Sequence, residues 1–292
     1  MAQGQCLCGA VRYEVNGPFE SMMNCHCSMC RKRHGAAFST FVRAPLAHFR
    51  WVSGEDSIAQ YETPSGGSPG FCRVCGSITP VMLDDVGSVL CPAGSLEGEL
   101  GIKPQAHIFA GSKASWYDIT DSAVQHEEYP PEFGMSAVDR PVVTPKPGVI
   151  QGSCLCGEVA FEIEGAPERL MYCHCSRCRR ARSAAHGANL FFNSEQFRWL
   201  RGESLVRIYK DPSARFFSVA FCEKCGSGAP RIRPESKLGY VPAGALDTDP
   251  GIQPLARIFV GSKASWVDIT DAVPQFTEMP PPELLQPRVA GR

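Results

Sequence analysis

Short apolar segments of strand length recur along the chain, and glycine, proline or serine bounds most of them. Some alternate apolar with polar residues and others run apolar throughout, as strands with one or two buried faces do. Helical periodicity is weak, and only the stretches CRKRH and CRRARS are rich in good helix formers. The pattern predicts a mainly-β protein of small antiparallel sheets with little helix. The clearest strand candidates are VRYEV, FSTFV, SVLCPAG, AFEIEG, NLFFN and RIFVGS.

The chain contains two copies of one sequence pattern. GQCLCGAVRYEV from Gly4 matches GSCLCGEVAFEI from Gly152 at an offset of 148. The second copy gains two residues between the positions of Tyr61 and Cys72, so HIFAGSKASWYDITD from His107 matches RIFVGSKASWVDITD at an offset of 150. A repeat of this length indicates a duplicated domain rather than an array of short repeats. We predict a first domain over 1–128, a proline-rich linker over 129–149, a second domain over 150–280 and a tail over 281–292.

The composition argues against several classes of function. Of the 292 residues, 43% are hydrophobic and 20% are charged, and the formal net charge is -1, so nothing predicts a nucleic-acid partner. The apolar runs are too short to span a membrane, and the first residues lack the pattern of a secretory signal. We therefore expect a cytoplasmic protein without a membrane partner.

Fifteen cysteines carry the chemical signal. In a reducing compartment, clustered cysteines are metal ligands more often than disulfides, and an odd number cannot pair completely. Each half has a C-x-C pair near its start and a later C-x2-C-G turn, which together supply the four thiolates of a closed structural zinc site. Disulfides and an iron–sulfur cluster are the alternatives. The predicted four-cysteine sites are Cys6, Cys8, Cys72 and Cys75, and Cys154, Cys156, Cys222 and Cys225.

A three-cysteine cluster remains in each half. Three thiolates leave a tetrahedral zinc ion with one open position, as in catalytic sites. Because the thiolates make such a site anionic, it should hold a substrate thiol as thiolate better than it activates water. We expect four Zn²⁺ ions per chain, two in each domain, with the three-cysteine sites as candidates for labile binding. The predicted catalytic clusters are Cys25, Cys27 and Cys30, and Cys173, Cys175 and Cys178.

Other interpretations of these clusters stay open. His26 or His174, each between two of the cysteines, is an alternative fourth ligand, although a side chain in that position tends to point away from the metal. Alternatively, the clusters are metal-free thiols with a redox role. The fifteenth cysteine is Cys91, whose counterpart is Val241, and its position in a strand candidate favours a small buried residue.

The order C-x-C-G, C-x-C-S-x-C, F-C-x-x-C-G-S and I-F-x-G-S-K-A-S-W-x-D-I-T-D occurs in both halves. It resembles the glutathione-dependent formaldehyde-activating enzyme family, which includes centromere protein V. The resemblance implies tandem zinc-stapled β-tent domains, each with a closed four-cysteine site and a catalytic three-cysteine site. The family's named reaction joins formaldehyde to glutathione, giving S-hydroxymethylglutathione. This chain lacks the arginine that often precedes F-C-x-x-C, and its loops after Cys30 and Cys178 differ from each other.

The sequence favours a zinc-dependent carbon–sulfur lyase or synthase whose partner is a small thiol–aldehyde substrate. The repeated GSKASW block supplies weaker substrate candidates, for which a solvated lysine and a packed tryptophan are the alternative. These candidates are Lys113, Trp116, Lys263 and Trp266. The competing functions are a non-catalytic zinc-binding interaction module and a thiol or zinc redox sensor. The duplication also predicts that the halves pack together as an intrachain pseudo-dimer.

Overall fold

The computed structural model describes residues 1–63, 67–134 and 143–285. The predicted linker 129–149 and tail 281–292 lie partly outside the described residues, at 135–142 and 286–292. The regular secondary structure of the described chain is mostly short strands, with two α-helices and several single-turn 3₁₀ helices, so the prediction of a mainly-β fold with little helix is confirmed. None of the described helices is long and apolar enough to cross a membrane.

The first half contains two sheets and a two-stranded hairpin. Its strands are β1 (Ala2–Gln5), β2 (Arg12–Val15), β3 (Ser21–Cys25), β4 (Ser39–Pro45), β5 (Phe49–Ser53), β6 (Ile58–Gln60), β7 (Gly70–Cys72), β8 (Val81–Leu83), β9 (Ser88–Pro92), β10 (Leu96–Glu97), β11 (Ala106–Ile108) and β12 (Val124–Gln125). One sheet has the order β10-β1-β2-β5, and the other has the order β12-β11-β3-β4-β9-β8. Strands β6 and β7 form the hairpin.

The second half repeats this arrangement with fewer strands. Its strands are β13 (Val149–Ser153), β14 (Ala160–Glu164), β15 (Arg169–Cys173), β16 (Gly187–Asn193), β17 (Phe197–Arg201), β18 (Val206–Lys210), β19 (Ser218–Cys222), β20 (Arg231–Arg233), β21 (Leu238–Pro242) and β22 (Pro254–Ile258). They form sheets of order β13-β14-β17 and β20-β21-β16-β15-β22, and β18 pairs with β19.

The two helices lie where the sequence places them, but the sheets and one strand differ from the prediction. Helices α1 (Ser28–His34) and α2 (Ser176–Arg182) each begin directly after a C-x-C pair. The sheets are mixed rather than purely antiparallel, because β3 pairs parallel with β11, and β15 with β22. Parallel neighbours need a long crossover, which a local sequence pattern does not reveal. The strand predicted over RIFVGS ends at Ile258, because Phe259 adopts a φ of 56° and begins a turn.

The two halves share one hydrophobic core. It is formed by apolar side chains from both copies, and the Tyr172 hydroxyl donates to the Trp116 carbonyl across the junction at 3.1 Å. Core residues include Tyr13, Val42, Val89 and Leu96 from the first half and Phe161, Leu170, Leu190 and Phe192 from the second. Apolar side chains of each half therefore pack against those of the other.

Each helix docks on a tight turn of the opposite half. Helix α1 packs against the turn that contains Gly244, and α2 packs against the turn that contains Gly94. A Cβ atom built on Gly94 would lie 2.1 Å from the backbone nitrogen of Ala184. One built on Gly244 would lie 2.2 Å from the Arg31 carbonyl oxygen. Only glycine permits so close an approach of the two backbones.

Polar contacts reinforce this junction. Lys32, which is 6% exposed, pairs with Asp247 at 2.5 Å and donates to the Ser153 carbonyl at 2.7 Å. The buried ring of His34 donates through Nδ1 to the Arg182 carbonyl at 2.8 Å. Both side chains extend from α1, so the helix that carries part of the first three-cysteine cluster is held by the second half.

Candidate metal centres

The first four-cysteine cluster joins the N-terminal loop to a turn in the middle of the half. Its four Sγ atoms lie within 4.8 Å of one another. Cys6 and Cys8 follow β1, whereas Cys72 ends β7 and Cys75 lies in the turn after it. At Gly76 the φ angle is 75°, and its N–H donates to the Cys72 carbonyl at 2.9 Å. A left-handed glycine thus closes the turn on which two of the thiols are carried.

The second half repeats this cluster with Cys154, Cys156, Cys222 and Cys225, whose sulfurs lie within the same 4.8 Å. A serine ties the two cysteine pairs together in each half: Ser77 accepts the Leu7 N–H at 3.0 Å, and Ser227 accepts that of Leu155 at 3.1 Å. All fifteen cysteines lie in the described ranges and are free thiols, so the structure does not contain the alternative disulfides. Four converging thiols are the donor set that Zn²⁺ prefers in a closed site.

The first three-cysteine cluster is assembled where a strand passes into a helix. Cys25 is the last residue of β3, Cys27 is the N-cap of α1, and Cys30 lies in its first turn. The three Sγ atoms lie within 4.8 Å of one another, and no other described His, Cys, Asp or Glu joins the group. Cys25 is buried, whereas Cys27 and Cys30 are partly exposed. The donor set fits a soft metal ion with one position left for an outside ligand.

The second three-cysteine cluster has the same geometry, from Cys173, Cys175 and Cys178. The Cys175 sulfur accepts the Cys178 N–H at 3.4 Å, as an N-cap does. Hydrogen bonds from the other two thiols lower the pKa of Cys175 to about 3, and they also lower that of Cys27 well below its usual range. Each cluster therefore stabilises negative charge on its N-cap sulfur, and a thiolate is the form that binds metal.

The histidines that lie between the cysteines of each three-cysteine cluster contact other side chains rather than the sulfurs. His26 Nε2 lies 2.8 Å from His107 Nδ1, and His107 Nε2 lies 3.0 Å from the Asp121 carboxylate. Burial lowers the pKa of His26 to about 3, so its ring is neutral. In the second half, His174 Nε2 lies 3.1 Å from a guanidinium nitrogen of Arg257, which takes the place of His107. Sequence reasoning missed this chain of contacts, although the exchange of His107 for Arg257 at the start of the repeated block was a signal.

The four weaker substrate candidates lie near the junction of the halves. Trp116 and Trp266 are buried, and each lines a cleft between the halves, of about 380 Å³ and about 240 Å³ respectively. Lys113 Nζ donates to the Tyr117 carbonyl at 3.3 Å, and Lys263 makes the equivalent bond at 2.8 Å. Both lysines thus hydrogen-bond to the backbone of their own turn, and the structure does not bring them into the three-cysteine clusters.

Two tandem β units, each with a four-cysteine and a three-cysteine cluster, define a class of cysteine-rich proteins whose clusters could hold metal ions. The family described as glutathione-dependent formaldehyde-activating enzyme matches residues 1–112 and 149–262 of the chain. The chain belongs to this family, which confirms the resemblance found in its sequence.

Individual relatives match one copy of the tandem. A protein of Halomonas elongata, named "Putative glutathione-dependent formaldehyde-activating enzyme", is 30% identical over 127 residues, covering 41% of this chain and 81% of that protein. The crystal structure of a Rhodobacter sphaeroides protein is 32% identical and covers 33% of this chain and 89% of that chain, with a TM-score of 0.29. Both alignments span most of the relative but less than half of this chain.

Proposed function

We propose that the protein is a zinc-dependent carbon–sulfur lyase or synthase that acts in the cytoplasm on a small adduct of a thiol and an aldehyde. The observation that carries this proposal is the three-cysteine cluster, in which three sulfurs converge within 4.8 Å without a fourth ligand from the described residues. An exchangeable fourth position is what an incoming substrate thiol requires. Membership of the family supports the same chemistry.

The reaction is a reversible addition. In the forming direction, the thiol sulfur bonds to the carbonyl carbon, the π electron pair moves to oxygen, and the proton lost by the thiol ends on that oxygen. A zinc ion bound by three thiolates would supply the means to keep a substrate thiol deprotonated at neutral pH. The reverse direction breaks the same carbon–sulfur bond and returns the thiol and the aldehyde.

The residues of the chain prepare this site. The N-cap sulfur of Cys27 accepts the Cys30 N–H at 3.4 Å, which orients it at the start of α1. Arg31 donates to the His26 carbonyl at 3.2 Å and remains near the thiolates, whose charge opposes the lowering of its pKa by burial. Its positive charge reduces the electrostatic cost of gathering several sulfurs in one place.

The remaining parts of the proposal concern organisation. The four-cysteine clusters would be closed structural zinc sites, which brings the expected content to four ions per chain. The shared core supports an intrachain pseudo-dimer of two domains, 1–128 and 150–280. The clefts lined by Trp116 and Trp266 stay secondary candidates for substrate contact.

Metal content tests the first part of the proposal. Elemental analysis should find four zinc ions per chain, and at most about one thiol should react in the native protein. Two zinc ions with about six reactive thiols would mean that the three-cysteine clusters stay empty. The redox-sensor and interaction-module functions would then be preferred to the lyase.

Substitution tests the second part. Cys27→Ser and Cys175→Ser should each remove the activity of one site, and the double variant should have no activity. Activity is measured by NMR as exchange between a thiol–formaldehyde adduct and its components. Cys91→Ser is the matched control, because Cys91 is a buried thiol of β9 outside all four clusters. Full activity in the double variant would overturn the proposal.

A further inference from the structure

Each three-cysteine cluster depends on the position of a short helix. In the first half, Cys27 and Cys30 are carried by α1, whereas Cys25 belongs to the end of β3. Helix α1 has seven residues. Isolated helices shorter than about 12–15 residues are only marginally stable, so packing against the rest of the protein must fix α1. A metal ion held by all three sulfurs requires a fixed helix, because metal–sulfur bond lengths fall in a narrow range.

Much of the packing around α1 comes from the second half. Met29 lies between two of the cysteines in the chain, and it packs against the apolar cluster that contains Cys154 and Cys225 of the second four-cysteine cluster. At the other end of α1, the His34 ring donates to the Arg182 carbonyl. The first half thus provides the three sulfurs, and the second half contacts the helix that carries two of them.

A polar link also joins α1 to the segment directly before the second four-cysteine cluster. Lys32 Nζ lies 2.5 Å from the Asp247 carboxylate and 2.8 Å from Ser153 Oγ. The Ser153 hydroxyl donates to Asp247 at 2.6 Å, and Cys154 follows it in the chain. The Lys32 and Asp247 side chains are only 8% and 13% exposed, so solvent screens their attraction weakly. This link holds α1 against the second half.

A reciprocal link holds α2 against the first half. Arg180 Nε donates to the Glu97 carboxylate at 3.0 Å, and Glu97 lies in β10, which pairs with β1. At the end of α2, the Ser183 hydroxyl donates to the Ile78 carbonyl at 3.0 Å. The Arg180 and Glu97 side chains are 26% and 38% exposed, so solvent weakens this ion pair more than that of Lys32.

We propose that each half positions the three-cysteine cluster of the other: Asp247 acts on the first cluster through Lys32, and Glu97 acts on the second through Arg180. Both carboxylates are positioning residues, and neither belongs to a cysteine cluster. The inference rests on the proposed binding of metal by the three-cysteine clusters. Its consequence is crossed, because a change in one half should loosen metal in the opposite half.

Alkylation of the full-length protein at a buffered zinc concentration reads both clusters in one experiment. A sulfur bound to zinc is protected from iodoacetamide, and peptide mass spectrometry assigns each modified cysteine. Cys91, which is fully buried outside all four clusters, reports unfolding of the protein as a whole. Asp247→Asn should raise the alkylation rate of the first three-cysteine cluster about ten-fold, as the loss of an outer contact of a metal site does. The second cluster and Cys91 should react at wild-type rates.

The reciprocal variant should act in the opposite direction. Glu97→Gln should raise the rate of the second three-cysteine cluster alone, by about two- to five-fold, because a half-exposed ion pair contributes less. Ser153→Ala removes only the hydroxyl between Lys32 and Asp247. It should raise the rate of the first cluster, by less than Asp247→Asn does, and it keeps a test available if the latter variant does not fold.

Glu162→Gln is the matched control. Glu162 is a buried carboxylate of the second half that pairs with Lys146 and Arg198 rather than with a residue of α1. Its substitution weakens ion pairs in the same half as Asp247, but both three-cysteine clusters should react at wild-type rates.

The possible results separate the inference from the proposed function. If Asp247→Asn raised the rates of both clusters and of Cys91 together, this carboxylate would only stabilise the fold, and the inference would be wrong. A rise confined to the second cluster, or no rise from either carboxylate variant, would also overturn it while metal binding stands. Equal rates in the wild-type clusters with and without zinc would mean that they hold no metal, which would refute the proposed function and the inference with it.

Discussion

The contact between helix α2 and the turn at Gly94 makes a sharp test of how the halves interlock. Replacing Gly94 by alanine adds one methyl group and leaves the charge unchanged. The added Cβ would lie 2.1 Å from the nitrogen and 2.2 Å from the oxygen of Ala184 in the opposite half. Carbon atoms in favourable contact lie about 3.5–4.0 Å from their neighbours, so the turn and the helix must separate by about 1 Å or more.

The expected cost follows from the rigidity of the two surfaces. Overpacking a buried contact costs about 1–3 kcal/mol and occasionally more. The obstructing atoms of Ala184 belong to the backbone, which cannot rotate away as a side chain does. We therefore expect Gly94→Ala to lower the free energy of unfolding by about 3 kcal/mol, roughly a hundred-fold in the ratio of folded to unfolded protein.

Urea denaturation at a fixed zinc concentration measures this cost. Gly67→Ala is the matched control, because among the described residues a Cβ there meets only Thr63 Oγ1, at an ordinary 3.5 Å. Its free energy of unfolding should change by less than about 0.5 kcal/mol. Gly244→Ala, the counterpart change, should cost as much as Gly94→Ala. The double variant should cost less than the sum, since both changes open one junction. A Gly94→Ala protein as stable as the control would refute the interlocked packing.

Three further predictions concern the ion pairs, pH and the cysteines. Lys32→Met should cost about 3–5 kcal/mol in urea denaturation, because it leaves a largely buried carboxylate unpaired. Lys103→Met, which breaks an exposed ion pair across the same junction, should cost less than about 1 kcal/mol. Burial lowers the pKa of His34 to about 3, so below its ordinary pKa of 6.5 the unfolded chain binds a proton that the folded chain does not. As the pH falls from 6.5 to 5, this proton should lower the free energy of unfolding by about 1.4 kcal/mol per pH unit. His34→Gln should remove that part of the slope. Cys72→Ser should unfold the first half in circular dichroism, because it breaks a closed site, whereas Cys27→Ser should keep the fold.

Each of these predictions has an opposite result that would contradict it. Equal costs for the two lysine changes would mean that the Lys32 contacts add no more than a surface pair. An unchanged pH slope in His34→Gln would mean that this ring is not buried in its neutral form. If Cys27→Ser unfolded the protein as Cys72→Ser does, the three-cysteine cluster would be a structural element, and the distinction between closed and open sites would be wrong.

The fold class and the cysteine grouping were predictable because their signals are local. Strands such as β2, β4 and β16 appear as alternating or continuous apolar runs, and α1 and α2 appear where helix formers follow a C-x-C pair. Cys25, Cys27 and Cys30 are so close along the chain that few backbone paths could separate them. The pairing of Cys6 with Cys72 spans a longer distance, but the C-x2-C turn needed two more ligands, and the remaining thiols limited the choice.

The sequence by itself determined that the chain is a mainly-β duplication, that it belongs to a recognisable family, and that its thiols divide into sets of four and three. Only the tertiary structure decided the parallel pairing of β3 with β11, the shared core, and the docking of each helix on a turn of the opposite half. Lys32 and Ser153 stand 121 positions apart, and their contact depends on how two complete halves pack. Such contacts follow from the burial of whole surfaces and the close approach of glycine-containing turns, which no short stretch of sequence encodes.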